Sequence, residues 1–326
     1  MAALIAASLR IRARQSLVSL LLGLSATAAA APSADELALL RQINLAAQKT
    51  SFVGVFSHQQ TQGLYTARLY HSTSPDGPLV RLESLDGPAR EIVRSAEGVR
   101  AYLPERREVR LTPHRPLRPD FPTLFLGDGQ EVLRHYRMQI RPGQRVAGLD
   151  TDLVELVPND SLRWRMRCWV ERSRRLLLKQ QLLDADGNIR EEYVFSEIRL
   201  GPVQERLVRS RFEGQPGWTQ SVSPMRKVSA PTSVTELPGG FVLSAALASA
   251  DARLRQWVLT DGLATVSLFA ERRAPSPAEG SVGQHGSLSM ASRQRGEFTL
   301  TALGEVPLQA AIALVEAFPS SVLQSQ

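Results

Sequence analysis

At 326 residues and 43% hydrophobic content, the chain is long enough for two domains and can bury a core without metal or disulfide staples. Its single cysteine, Cys168, excludes an internal disulfide, and no apolar run is long enough to span a bilayer. The net charge of +7 rests almost wholly on arginine, since lysine occurs only at Lys49, Lys179 and Lys227. Arginine suits planar contacts with carboxylates and phosphates, so an acidic partner or an anionic lipid head group stands as one expectation beside a plain solvated surface.

Residues 1–30 read as a secretory signal. Arg10, Arg12 and Arg14 precede the apolar run 17–24, and Ala28-Ala29-Ala30 supplies a small-residue cleavage pattern. The remainder is expected to be a soluble exported protein. Ser33 can cap a helix over 33–49, with Asp35 and Glu36 favoured in its first turn and Leu37, Leu40, Ile43, Asn44 and Ala47 near helical spacing. Strands follow at 52–57 and 64–71. Val80, Leu82 and Ser84 then share one strand face, Asp86-Gly87-Pro88 supplies turn chemistry, and alternation resumes at 92–93 and 99–103.

Residues 104–122 carry five prolines and five arginines without strand rhythm, which predicts a flap or binding loop. Short helices are expected over 121–126 and 131–136, and strands over 136–141, 145–147, 153–158, 164–171, 176–183 and 191–200. Asp184-Ala185-Asp186-Gly187 has the look of a calcium loop, but Phe195 stands where the twelfth-position Glu belongs, so a hairpin turn is the better reading. One helix followed by many antiparallel strands predicts an α+β fold. Its first part is a strongly curved open sheet around a helical plug, a shape that holds an apolar crevice.

Residues 201–231 lose the rhythm, with a short helix expected over 203–209. The expected division is a first domain at 31–205, a linker at 206–217 and a second domain at 218–320. The second domain reads as small and α+β: a turn at 237–241, a hairpin around Thr260-Asp261-Gly262, a polar loop at 276–286, strands at 287–293 and 297–303, and a helix from 306 that Pro319 stops.

The five histidines are scattered without zinc-ligand spacing. There is no nucleophile elbow, no His-Glu-x-x-His and no phosphate-binding glycine loop. The expectation is a non-enzyme without metal or cofactor. Cys168 alternates with Trp164, Met166 and Val170, as a buried structural thiol would. Aromatic residues alternate with aliphatic ones, which is core logic rather than a stacking platform for nucleic acid.

Several strings in order resemble the MucB/RseB family. They include Ile43-Asn44-Leu45-Ala46, Arg68-Leu69-Tyr70-His71, Leu85-Asp86-Gly87-Pro88 with Arg90-Glu91, Phe121-Pro122-Thr123-Leu124 and Cys168-Trp169-Val170-Glu171. Later come Leu182-Leu183-Asp184-Ala185-Asp186-Gly187, Leu237-Pro238-Gly239-Gly240-Phe241, Thr260-Asp261-Gly262-Leu263 and Leu303-Gly304-Glu305-Val306-Pro307. The resemblance implies a periplasmic regulator with an N-terminal domain like LolA and LolB, an unclosed β-barrel covered by helices. A smaller C-terminal domain would dock on the periplasmic part of a membrane anti-sigma factor of RseA or MucA type. Bound there, such a protein shields the anti-sigma factor from the site-1 protease DegS and restrains the sigma-E response. Lipopolysaccharide or lipoprotein acyl chains would release it, and self-association into a homo-oligomer is expected.

The crevice expectation points to Phe52, Phe56, Tyr65, Leu69 and Leu82 on strand faces, with Phe121, Leu124 and Phe125 on the covering segment; ordinary core is the competing reading for each. Trp257 and Phe269 are the candidates for the partner interface, because aromatic anchors dominate interfaces. The rival functions are a periplasmic lipid or lipoprotein carrier of LolA type and, behind it, a hydrolase.

Overall fold

The computed structural model describes residues 33–324 except 62, 76, 115–116, 232–233 and 273–279. The expected secretory signal and residues 276–279 of the expected polar loop lie outside the described residues. Ser33 and Glu36 form a reciprocal capping box, the Glu36 N–H donating to Ser33 Oγ (3.1 Å) and the Ser33 N–H to Glu36 Oε2 (2.9 Å). This fixes the start of α1 (Ala34–Lys49). Its inner stripe, Leu40 and Ile43, packs with Val132 and Leu133 of α2 (Gln130–His135) and with Leu156, Met166 and Cys168 of the sheet beneath. Each fully buried aliphatic side chain of this kind contributes about 1.5–3 kcal/mol.

Twelve strands make that sheet: β1 (Phe52–Gln60), β2 (Gly63–Ser72), β3 (Leu79–Ser84), β4 (Glu91–Ser95), β5 (Gly98–Leu103), β6 (Glu108–Thr112), β7 (Tyr136–Pro142), β8 (Thr151–Pro158), β9 (Arg165–Glu171), β10 (Leu177–Leu183), β11 (Ile189–Leu200) and β12 (Thr219–Val222). Their order is β12-β6-β5-β4-β3-β2-β1-β11-β10-β9-β8-β7, so the sheet stays open at β12 and β7. Two meanders are joined where β11 returns to pair with β1. Register shifts at Val55/Phe56, Leu177/Lys179 and Leu182/Leu183 mark bulges, which bend and twist a sheet. Gly54 lies beside one of them. A Cβ there would stand 2.7 Å from the Phe195 ring, so the bend requires a residue without a side chain.

The chain leaves β11 through α3 (Glu205–Val208) and later builds a seven-stranded sheet from β13 (Arg226–Val228), β14 (Val242–Ala248), β15 (Leu254–Thr260), β16 (Thr265–Arg272), β17 (Val282–His285), β18 (Leu288–Arg295) and β19 (Phe298–Gly304). The order is β13-β14-β15-β16-β19-β18-β17. One face is covered by α4 (Leu308–Ala317) and α5 (Ser320–Gln324). There Ala311, Leu314, Val315 and Leu323 pack on Trp257, Leu268 and Leu300.

The tip of the β15–β16 hairpin anchors the second sheet to the first. Gly262 sits so close to α2 that a Cβ would stand 2.8 Å from Glu131 Cβ, and Leu263 joins the core under α1. Beside it Arg163 and Asp261, both 0% exposed, form an ion pair with Nε 2.8 Å from Oδ2. Asp261 also accepts the Tyr136 hydroxyl at 3.1 Å and the backbone N–H groups of Leu263 and Ala264 at 2.9 and 2.7 Å. Arg163 donates to Asp160 at 2.9 Å and to the Gly239 carbonyl.

The α+β class, the open antiparallel sheet and the smaller second sheet are as expected. Several local expectations are corrected. Residues 104–122 contain a strand, β6, because Val109 and Leu111 alternate with Glu108 and Arg110 and pair along β5. Residues 121–126 form no helix; Pro122 and the glycines at 127 and 129 interrupt the chain until Gln130. Around 145–147 there is only a single bridge between Val146 and Leu149. The change of sheet falls after Val222, not near Trp218, because β12 pairs in parallel with β6. The polar loop ends earlier than expected, Val282–His285 being strand β17.

Candidate functional site

Strand register builds the site. Leu69, Leu82, Ile92 and Ala101 are directly opposed across β2, β3, β4 and β5, and the row ends at Arg110 on β6. Because strand side chains alternate, all five point to one face. Phe56 and Ala67 form the next row. This face is the floor of a cavity of about 1310 Å³. Its opposite wall is the face of the second sheet that α4 does not cover, where Val258, Ser267 and Leu303 are opposed across three strands and Phe269 projects two residues on from Ser267. Trp164, Met166 and Leu263 line it where the sheets meet.

The segment after β6 crosses the cavity. Phe121 stacks on Tyr193 (ring centroids 5.3 Å, planes 14° apart) and leans on Phe56 and Phe195 at 5.5 and 5.1 Å. Asp120 pairs with Arg94 at 3.0 Å, and Arg118 reaches Glu305 of the second sheet at 3.3 Å. Arg90, Arg106 and Arg110 stand on the same lining. Arg110 is paired with Glu108 at 2.8 Å, whereas Arg90 and Arg106 form no ion pair among the described residues. An apolar floor with an arginine rim fits a ligand that is apolar along one part and anionic at another.

A second polar group lies where β1 and β11 meet the second sheet. Glu191 is buried and accepts from His58 Nε2 (2.5 Å), Gln60 Nε2 (2.9 Å) and Ser287 Oγ (2.6 Å). Burial pushes its carboxyl up, but these hydrogen bonds outweigh it and hold the group below the ordinary carboxylate range. Glu305 goes the other way, to about 7, driven first by burial and then by the Glu191 charge. The Tyr193 phenol is pushed well up by burial and by Glu191.

Of the eight residues expected in a crevice, Phe56, Tyr65, Leu69, Leu82, Phe121 and Leu124 line this cavity, with Tyr65 at its mouth, 48% exposed. Phe52 and Phe125 do not. Phe52 is closed in by His71 (5.2 Å, stacked) and Phe195 (5.7 Å), and Phe125 lies in the core under α1. Trp257 is only 4% exposed and packs on Phe318 at 4.9 Å, so it is core rather than an exposed anchor. Phe269 lines the cavity. The sequence puts Arg106, Arg110 and Arg118 in an expected flap or binding loop but does not place Arg110 at the end of the apolar row, and it does not bring Glu191 and Glu305 together. The alternation of Val109 and Leu111 could have exposed the first; no local signal marks the second.

Cys168 is buried, and burial pushes its thiol far up, so it is no nucleophile at neutral pH. Asp184 closes its turn by accepting the Asn188 N–H at 2.8 Å and pairs with Arg190 at 2.9 Å. Among the described residues, no cluster of His, Cys, Asp and Glu has the makings of a metal site, and no helix is long and apolar enough to cross a membrane.

A family model described as the MucB/RseB N-terminal domain matches residues 35–216, and one described as the MucB/RseB C-terminal domain matches residues 228–318. The sigma-E factor regulatory protein RseB of Escherichia coli (strain K12) is 26% identical over 306 residues, covering 92% of this chain and 95% of that protein. The sigma factor AlgU regulatory protein MucB of Pseudomonas aeruginosa is 26% identical over 313 residues, covering 89% of this chain and 92% of its own. A solved complex of Pseudomonas aeruginosa MucA and MucB superposes with a TM-score of 0.66 at 23% identity, covering 86% of this chain and 97% of that one. At that identity the likeness shows a shared fold.

Proposed function

The chain belongs to the MucB/RseB family, and on that premise we propose that it is a non-catalytic periplasmic regulator. It binds the periplasmic segment of a membrane anti-sigma factor of RseA or MucA type, protects that segment from site-1 proteolysis and so restrains a sigma-E response. The observation that carries this reading is the cavity with one wall on each sheet. A molecule seated there contacts both halves of the chain at once, so its occupancy can alter how a second molecule is held. RseB and MucB relatives are named for sigma-factor regulation, and MucB has been solved with MucA.

The apolar row on the first sheet is the proposed acyl-chain contact, with the arginine rim taking an anionic head group. Lipopolysaccharide or lipoprotein chains are the ligand class, and self-association is part of the proposal. Incubating the chain with the periplasmic segment of its anti-sigma factor and a site-1 protease tests the main claim. The segment survives if the reading is right and is cut at the unprotected rate if it is wrong. A lipid or lipoprotein carrier remains the second reading, favoured by the wholly apolar stretch Leu69, Leu82, Ile92 and Ala101 of the floor. It predicts uptake of a fluorescent acyl probe with no protection of the segment. In either reading Leu82→Glu lowers probe uptake.

A further inference from the structure

The first sheet ends at β7, and no strand among the described residues pairs with its outer edge. Alternation gives this edge two different sides. Met138 and Ile140 oppose Leu156 and Val154; Met138 packs on the core under α1, whereas Ile140 is 54% exposed. Arg137, Gln139 and Arg141 turn to the other side, away from α1, and are exposed. On that side Gln139, Glu155, Arg167 and Gln181 lie directly opposed across β7, β8, β9 and β10.

Glu155 is buried and gathers three guanidinium groups, those of Arg141 at 3.1 Å, Arg167 at 3.0 Å and Arg165 at 3.8 Å. One carboxylate does not balance three cations, and Arg137 beside them forms no ion pair among the described residues. The surplus belongs to this part of the chain. Setting aside Arg163, which is paired with Asp261, residues 136–183 hold nine arginines and lysines against five aspartates and glutamates. That excess equals the one over the whole of residues 31–326, which hold 36 against 32. The remainder is balanced, so the attraction for an acidic molecule is concentrated on the β7–β10 meander.

We propose that the free edge of β7 docks an extended acidic segment of a partner protein. The segment adds a strand, with carboxylates over Arg137 and Arg141 and an apolar side chain beside Ile140. The edge backbone supplies hydrogen bonds, and the two unlike sides of β7 select the sequence. A second copy of this chain is the wrong occupant. Pairing β7 with β7 about Gln139 opposes Arg137 to Arg141 twice, and like charges directly opposed are destabilising. The same arginines therefore guard the edge against self-pairing and admit an acidic strand. Because they are turned away from α1, the proposal is independent of what the cavity holds and does not rest on the regulatory reading.

The probe is a capped, fluorescent seven-residue peptide of alternating Glu and Val, titrated with the full chain and read by anisotropy. A Lys-and-Val peptide is its charge-reversed control. Saturable binding of the acidic peptide alone is expected, weakened at least about threefold by Arg137→Glu, an exposed position whose change should leave the circular dichroism as it was. An added strand turns only every second amide toward its neighbour. Methylating one alternate set of the peptide's backbone amides should therefore abolish binding, and methylating the other set should leave it. No saturable binding, equal binding of the Lys-and-Val peptide, indifference to Arg137→Glu, or the same loss from both methylation patterns each overturns the proposal. So does binding to phosphatidylglycerol vesicles by a chain that ignores the peptide, which assigns the arginines to a membrane surface.

Discussion

Replacing Arg163 by leucine tests how the second sheet is fastened to the first. The side chain is fully buried, and its removal leaves Asp261, also fully buried, without its cation. Breaking a buried pair from one side costs about 3–5 kcal/mol, most of it the penalty on the charge left behind. Asp261 keeps the Tyr136 hydroxyl and two backbone N–H donors, so the lower end applies, about 3 kcal/mol. For a chain of this size that is roughly 5 °C in Tm. The second substitution of a cycle, Asp261→Asn, removes the stranded charge while keeping an acceptor for Leu263 and Ala264. The double variant Arg163→Leu/Asp261→Asn should therefore recover at least half of the loss. Urea unfolding followed by circular dichroism measures all three chains. A single-variant loss below about 1 kcal/mol, or a double variant no more stable than Arg163→Leu, would refute the reasoning.

Three further outcomes are expected. Trp257→Ala should cost about 3–5 kcal/mol in stability, whereas Phe269→Ala should cost less and weaken binding of the anti-sigma segment; equal stability costs would show that Phe269 is core too. Cys168 should resist a thiol reagent in the native state and label only as fast as the chain unfolds, so rapid native labelling would contradict its placement. His71 is buried against Phe52, and burial lowers its pKa despite a hydrogen bond that its ring donates to the Thr50 backbone, which raises it. The unfolded chain thus takes up the proton first, and stability falls as pH drops below the ordinary 6.5, by at most about 1.4 kcal/mol per pH unit. In unfolding experiments between pH 7.5 and pH 5.5, His71→Leu should flatten that slope.

Much of the fold was legible because most strands carry their own alternation. Val80, Leu82 and Ser84 announce one strand face from sequence alone, and Ser33 with Glu36 announces a helix start. What stayed hidden depended on register and docking. Leu69, Leu82, Ile92 and Ala101 become a single row only when four strands are aligned, and that alignment puts Arg110 at its end. Trp257 reads as an anchor because tryptophan favours interfaces, yet the residue alternation along β15 turns it toward α4 and Phe318. From the sequence Gly262 reads as an ordinary hairpin turn and Gly286 as the end of a polar loop. Their further task, letting two hairpin tips press against the other half of the chain, appears only when that half is in place. Glu191 and Glu305 are more than a hundred residues apart, and nothing local pairs them.

The central claim is that this chain works by holding another molecule. Calorimetric titration with the periplasmic segment of its anti-sigma factor tests it most directly. Saturable binding at micromolar concentration or tighter, weakened by Phe269→Ala, is the predicted result. No heat of binding at tens of micromolar, from a chain whose circular dichroism shows it folded, would contradict it.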